Sequence, residues 1–204
     1  MAAVYAGEQP GAVHPGVEVE EVSDSITMSR VWAMPNADTF DVEPIHNFVW
    51  KYLHKAKVSV DPFARNKRWC THSNDLNPNT EADFHMEAAD FFQHLAIHGV
   101  KADLVIFDPP YSPRQTKECY ESFGMKMQTS DAWGGQKWKN WRNAALPVLA
   151  NDAVVLTFGW NSTGMGRDCG FVIEEIMLVC HGSDHNDTIC IAERRVQPSF
   201  DFTS

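Results

Sequence analysis

Three observations predict an α/β fold with a mostly parallel central sheet and helices on both faces. Short β-branched runs alternate with amphipathic helical segments along the chain. The run ADLVIFD, residues 102–108, is apolar until its last residue, as a strand buried on both faces requires. Near the C-terminus two apolar runs are separated only by SDHN, which reads as an antiparallel hairpin.

Residues 1–28 hold Glu8, Glu18, Glu20, Glu21 and Asp24, no Lys or Arg, and Pro10 and Pro15. That composition predicts a loosely ordered acidic arm ahead of a single domain spanning 29–204. In VEPIHNFVWKYLHK, residues 42–55, Ile45, Phe48, Val49, Tyr52 and Leu53 fall at helical spacing behind Pro44. KVSVDPF, 57–63, is a short strand ended by Asp61-Pro62, and WCTHSND, 69–75, is a weaker strand ending in Asp75. MEAADFFQHLAIHG, 86–99, is an amphipathic helix stopped by Gly99. After the central strand comes a long segment rich in Gly, Gln and Trp, then a helix around 136–150. DAVVLTFGW, 152–160, is a further buried strand, and the closing hairpin is expected at an edge of the sheet.

The chain has 204 residues, 44% of them apolar and 22% charged, as in a soluble globular domain. No apolar run reaches the roughly 20 residues a bilayer span needs, and no secretory signal is visible. Five cysteines without a CxxC pair predict reduced thiols in a cytoplasmic protein and no zinc framework. His94 and His98 lie one helical turn apart, and His181, Asp184, His185 and Asp187 cluster at the hairpin; neither group shows a full ligand set, so surface or capping roles are expected and no metal. A net charge of −10 argues against a protein that coats nucleic acid. The charge is segregated, however. Residues 112–150 hold Arg114, Lys117, Lys126, Lys137, Lys139 and Arg142 against Glu118, Glu121 and Asp131.

Asp61, Asp75 and Asp108 each end a predicted strand. A single strand-end Asp is often a helix cap. Three on one rim mark a site, because ligands of such sheets bind beyond the carboxyl ends of the strands, near the switch in strand order. The central strand stops at Asp108-Pro109-Pro110-Tyr111, since two prolines cannot donate to a ladder and each fixes its own φ.

This set resembles the class I S-adenosylmethionine-dependent DNA amino-methyltransferases with a DPPY motif, of the adenine-specific, small phage and prokaryotic orphan type. Asp108-Pro109-Pro110-Tyr111 matches the signature itself. Asp61-Pro62-Phe63-Ala64 matches the start of the cofactor loop, and Asn74-Asp75 the acidic end of the second strand. The match covers roughly residues 30–195. The resemblance implies a Rossmann-like methyltransferase fold, S-adenosyl-L-methionine as cofactor, and Asp108, Pro109, Pro110 and Tyr111 as catalytic residues. It implies cofactor contacts from Asp61, Pro62 and Phe63 on the methionine side, from Asn74 and Asp75 at the ribose, from Met86 at the adenine, and from Asp108. The stretch 30–45 stands where the family closes an element over the cofactor, with Phe40 the choice for an apolar contact; Trp32 or Phe40 fits ordinary core equally. The family carries glycine after its DPF-small start, whereas Arg65-Asn66-Lys67-Arg68 stands here. Asn tolerates positive φ better than most residues. Arg65 either pairs with the cofactor's carboxylate or belongs to a solvated basic surface.

The acceptor implied is DNA, with a flipped adenine. The chain has no room for a separate recognition domain, so residues 112–150 are the candidate recognition insertion, with Arg114, Lys117, Trp133 and Lys137 as substrate contacts. Trp138 and Trp141, three residues apart, fit packing against the sheet better than stacking on a base. Recognition of a few base pairs, or help from a second subunit such as a homodimer partner, follows if DNA is the substrate. The alternatives left open are an amino-methyltransferase acting on RNA, on cytosine in DNA or on a protein glutamine, and a non-catalytic binding module of the same fold.

Overall fold

A computed structural model describes residues 25–36, 38–110, 113–122, 124, 136–182 and 185–196. The strands are β1 (Thr27–Trp32), β2 (Ser59–Asp61), β3 (His72–Ser73), β4 (Ala102–Phe107), β5 (Leu149–Gly159), β6 (Phe171–Cys180) and β7 (Thr188–Arg195). The helices are α1 (Glu43–Leu53), α2 (Ala88–Ile97), α3 (Pro113–Ser122) and α4 (Gln136–Ala145). The strands form one sheet in the order β1-β6-β7-β5-β4-β2-β3, parallel except where β7 pairs with β5 and β6.

Alternation along β4 shows why the sheet is covered on both faces. Leu104 and Ile106 join a core with Ile45, Phe48, Val49 and Leu53 of α1. Val105 and Phe107 join a second core with Phe91, Phe92 and Leu95 of α2 and Trp141 of α4. A run apolar at every position is therefore required. Pro44 stands in the first turn of α1, where its missing N–H costs nothing. Gly99, with φ +71°, turns the chain after α2.

Two features depart from expectation. The hairpin β6–β7 lies inside the sheet, because β1 pairs in parallel with the outer side of β6. The edge is β1 itself, which takes in Thr27 and Met28, and its residues are nearly all exposed. The second feature is local: β2 and β3 pair in parallel although residues 62–71 between them contain no helix. No helix among the described residues is long and apolar enough to cross a membrane.

After β2 the chain steps outward to β3 and then returns to place β4 on the other side of β2. That reversal is the switch in strand order, and the crevice of such a sheet opens there. Asp61 and Asp108 end the two strands that flank it.

Candidate functional site

Asp61, the last residue of β2, is 2% exposed, and its Oδ1 accepts the N–H of Phe63 at 2.9 Å. Asn74, next after β3, is fully buried. Its Nδ2 donates to the carbonyls of Pro62 at 3.1 Å and Met86 at 3.0 Å, and its Oδ1 accepts the Met86 N–H at 3.1 Å. Its backbone N–H donates to the Asp61 carbonyl at 2.8 Å, and its carbonyl accepts from Ala64 at 2.9 Å. One residue, through backbone and side chain together, thus joins the end of β2, the turn after it and the approach to α2. Burial holds the Asp61 carboxyl well above the usual range; the Phe63 N–H opposes that, and the like charges of Asp108 and Asp75 add to it. Asp61 thus lies close enough to feel both of the other strand-end acids.

Asp75 is also engaged: Oδ2 accepts the Arg65 N–H at 2.9 Å and Oδ1 the Asn77 N–H at 2.8 Å. Arg65 has φ +51°, the one positive value at a non-glycine residue among those described. It occupies the position where the resembled family carries glycine. The turn therefore forms through Arg65, not through Asn66, whose Oδ1 instead accepts the Glu81 N–H at 3.1 Å. The loop's cations face acids of the chain itself: Arg65 pairs with Asp38, Lys67 with Asp41 and Arg68 with Asp83. With no helix in residues 62–71, no helix N-terminus points at an anion there.

At the tip of β4, Asp108 is half-buried, Pro109 buried and Pro110 half-buried. Burial raises the Cys190 thiol, with the Asp108 charge as the second cause, which places that carboxylate near β7. Tyr111 and Trp133 lie outside the described residues. Phe63 sets its ring edge-on to Phe107 at 5.5 Å and to Trp141 at 5.2 Å, so it packs in the second core. Phe40 is 6% exposed and lies edge-on to Phe158 at 5.1 Å, within the first core. Met86 is half-buried against the second core, its backbone held by Asn74. Trp138 meets Phe107 edge-on at 5.0 Å, and Trp141 is 3% exposed.

Beyond the tip, α3 and α4 meet α2 at Glu87, a residue the sequence reading assigned no such role. Its Oε2 caps α2 by accepting the Ala89 N–H at 2.6 Å. Its Oε1 accepts from Tyr120 Oη at 3.0 Å and from Trp141 Nε1 at 2.6 Å. Lys137 stands 3.7 Å from Oε1 and 4.1 Å over the Tyr120 ring, so this cation faces the protein body. Burial, and then the Glu87 charge, raise the Tyr120 hydroxyl. Arg114 and Lys117 lie on α3, in helical-spacing pairs with Glu118 at 2.7 Å and Glu121 at 3.6 Å; the Arg114 side chain is 86% exposed. The signal for Glu87 was a carboxylate just ahead of an amphipathic helix, which predicts a cap but not the partners that arrive from elsewhere.

All five cysteines are free. The His98 Nδ1 lies 2.8 Å from the His94 carbonyl, and His181 is buried between the Ala33 carbonyl and Thr188 Oγ1, each at 2.9 Å. No group of three or more metal-ligating side chains occurs among the described residues.

No family model matches the chain, and no curated protein sequence matches it. Solved structures do. SMU.776, named as a methyltransferase and solved in complex with SAH, superposes with a TM-score of 0.51 at 10% identity, over 73% of this chain and 49% of its own. TrmN from Thermus thermophilus superposes with a TM-score of 0.50 at 11% identity, over 76% of this chain and 49% of its own. The chain thus spans about half the length of each. The fold is the Rossmann-like fold of these methyltransferases.

Proposed function

We propose that the chain transfers a methyl group from S-adenosyl-L-methionine to the exocyclic amino group of adenine in DNA. The observation that carries this reading is the placement of Asp108-Pro109-Pro110 across the strand-order switch from the buried Asp61–Asn74 cradle. The cradle suits the cofactor's chemistry. Acidic groups at three strand ends favour a ligand with cationic groups and hydroxyl donors, and Asp61, beside the charges of Asp108 and Asp75, is the most buried of them. Asp75 has two oxygens already accepting one N–H each, and each keeps a lone pair for a ribose hydroxyl. When bound, the cofactor supplies an electrophilic methyl group on a sulfonium.

The residues do the rest by positioning. An aromatic amine is a poor nucleophile because its lone pair is delocalised into the ring. Asp108 accepts one amino hydrogen and the Pro109 carbonyl the other, which favours the pyramidal nitrogen that attacks. The Pro-Pro geometry fixes these acceptors before reaction, where preorganised electrostatics act most strongly. Tyr111 is assigned to stack on the flipped base.

The test is incubation with labelled cofactor and duplex DNA, single-stranded DNA or RNA, followed by nucleoside analysis. Asp108→Ala is expected to lower transfer by on the order of a hundredfold or more while calorimetric cofactor binding persists. Full activity in that variant sinks the mechanism, and label in RNA or protein moves the acceptor. The non-catalytic reading is favoured by one observation, the helix-free loop after Asp61; an absence of cofactor binding by calorimetry decides for it.

A further inference from the structure

We propose that Trp160 is the stacking platform for the base that flanks the target adenine in the acceptor strand. This rests on the reading above that the acceptor is DNA. β5 lies beside β4 in parallel, with Thr157 opposite Phe107. Asp108 follows Phe107, and Trp160 follows the last residue of β5, so Trp160 is in register with Pro110, one strand spacing (~4.8 Å) across the sheet and two residues farther along the rim than Asp108. Trp160 is 46% exposed there, although an indole gains much from burial.

The segment behind it is held from below. Glu193, 1% exposed, accepts the N–H groups of Met165 at 2.5 Å and Gly166 at 3.0 Å. Arg142 donates to the carbonyls of Gly164 at 3.3 Å and Met165 at 2.9 Å. Gly164 has φ +50°, and a Cβ added to it would lie 2.0 Å from Glu193 Oε2, so the carboxylate reaches that backbone only because the side chain is absent. The turn after Trp160 is therefore a built support.

A base suits this arrangement better than an aliphatic ligand does. Asp108 and the Pro109 carbonyl are acceptors for an amino group on a planar ring, and the neighbours of that ring along a DNA strand are planar too. An indole stacks on any base. Trp32 provides the internal control. It is 66% exposed at the end of β1 on the same rim, but β7 and β6 separate it from β5, so it stands about 14 Å farther from the tip.

The experiment measures fluorescence anisotropy of a labelled single-stranded DNA with one adenine, and of the same DNA with the two nucleotides flanking that adenine made abasic. The full chain is used as wild type, Trp160→Ala and Trp32→Ala. Trp160→Ala is expected to weaken binding of the intact strand about tenfold, as loss of one stacked base implies. The wild type should bind the abasic strand about tenfold more weakly than the intact one, Trp160→Ala should not distinguish the two strands, and Trp32→Ala should stay within about twofold of wild type. The wild-type comparison of strands needs no variant to fold. Equal binding of both strands by the wild type, or an equal loss in Trp32→Ala, overturns the proposal while leaving the DNA reading intact. Failure of the wild type to bind either strand overturns both.

Discussion

On the β2–β3 side of the rim, the fully buried Asn74 alone makes three side-chain hydrogen bonds to backbone at 3.0–3.1 Å. On the α3–α4 side, three helices converge on the half-buried carboxylate of Glu87. The first arrangement is neutral, draws its partners from 12 residues away on either side and is fully satisfied. The second is charged, draws partners from positions 33 and 54 residues away, and shares one oxygen among several donors. Their difference teaches that the β2–β3 side is a rigid cradle, whereas the α3–α4 side hangs on one joint. On the proposed reading the site must admit a base, and the adjustable half is the one that would do so.

The comparison breaks most directly at Asn74. Asn74→Ala removes the partners of the Pro62 and Met86 carbonyls and of the Met86 N–H, and is expected to cost about 3 kcal/mol in urea denaturation together with cofactor binding. A loss smaller than that of a Glu87 variant would reverse the ranking of the two sides. Asp61 sharpens it through pH. Burial raises its folded-state pKa, so its contribution to stability is fully present below the ordinary aspartate value of about 4 and is lost as pH rises through the raised value. Asp61→Asn does not titrate and should flatten that decline; parallel curves of denaturation midpoint against pH would remove Asp61 as its cause.

Glu87→Gln leaves one acceptor oxygen where two stood, so either the cap or the indole loses its partner, and it removes the charge facing Lys137. An expected loss of about 1 kcal/mol, with a shift in Trp141 emission, would mark Glu87 as the joint. Unchanged emission would contradict it. Arg65→Gly should do least. It relieves a left-handed backbone worth about 1 kcal/mol, while raising unfolded-state entropy and removing an exposed ion pair, so its midpoint should fall within about 1 kcal/mol of wild type.

Much of this was legible along the chain because it is local. The strand ends at Asp61 and Asp108 announce themselves through Pro62 and Pro109, which cannot continue a ladder. The helices show in the spacing of Ile45, Phe48 and Val49 and of Phe91, Phe92 and Leu95, which is the spacing of their buried faces. β1 was not legible as a strand, because an edge strand exposed almost throughout has no apolar alternation to show. Its partner is distant: Arg30 Nε donates to Cys180 Sγ, 150 residues on, at 3.1 Å. The inward place of the hairpin follows from the same pairing.

By itself, then, the amino-acid sequence determined the alternating elements, the double burial of β4 and the three acids at strand ends, since these depend on residue type and short-range periodicity. Only the tertiary structure decided which strands are neighbours, that Arg65 takes the left-handed turn, that Glu87 joins three helices and that Trp160 stands at the end of the strand beside β4. Those are contacts between distant segments, and their geometry exists only once the sheet has brought the segments together.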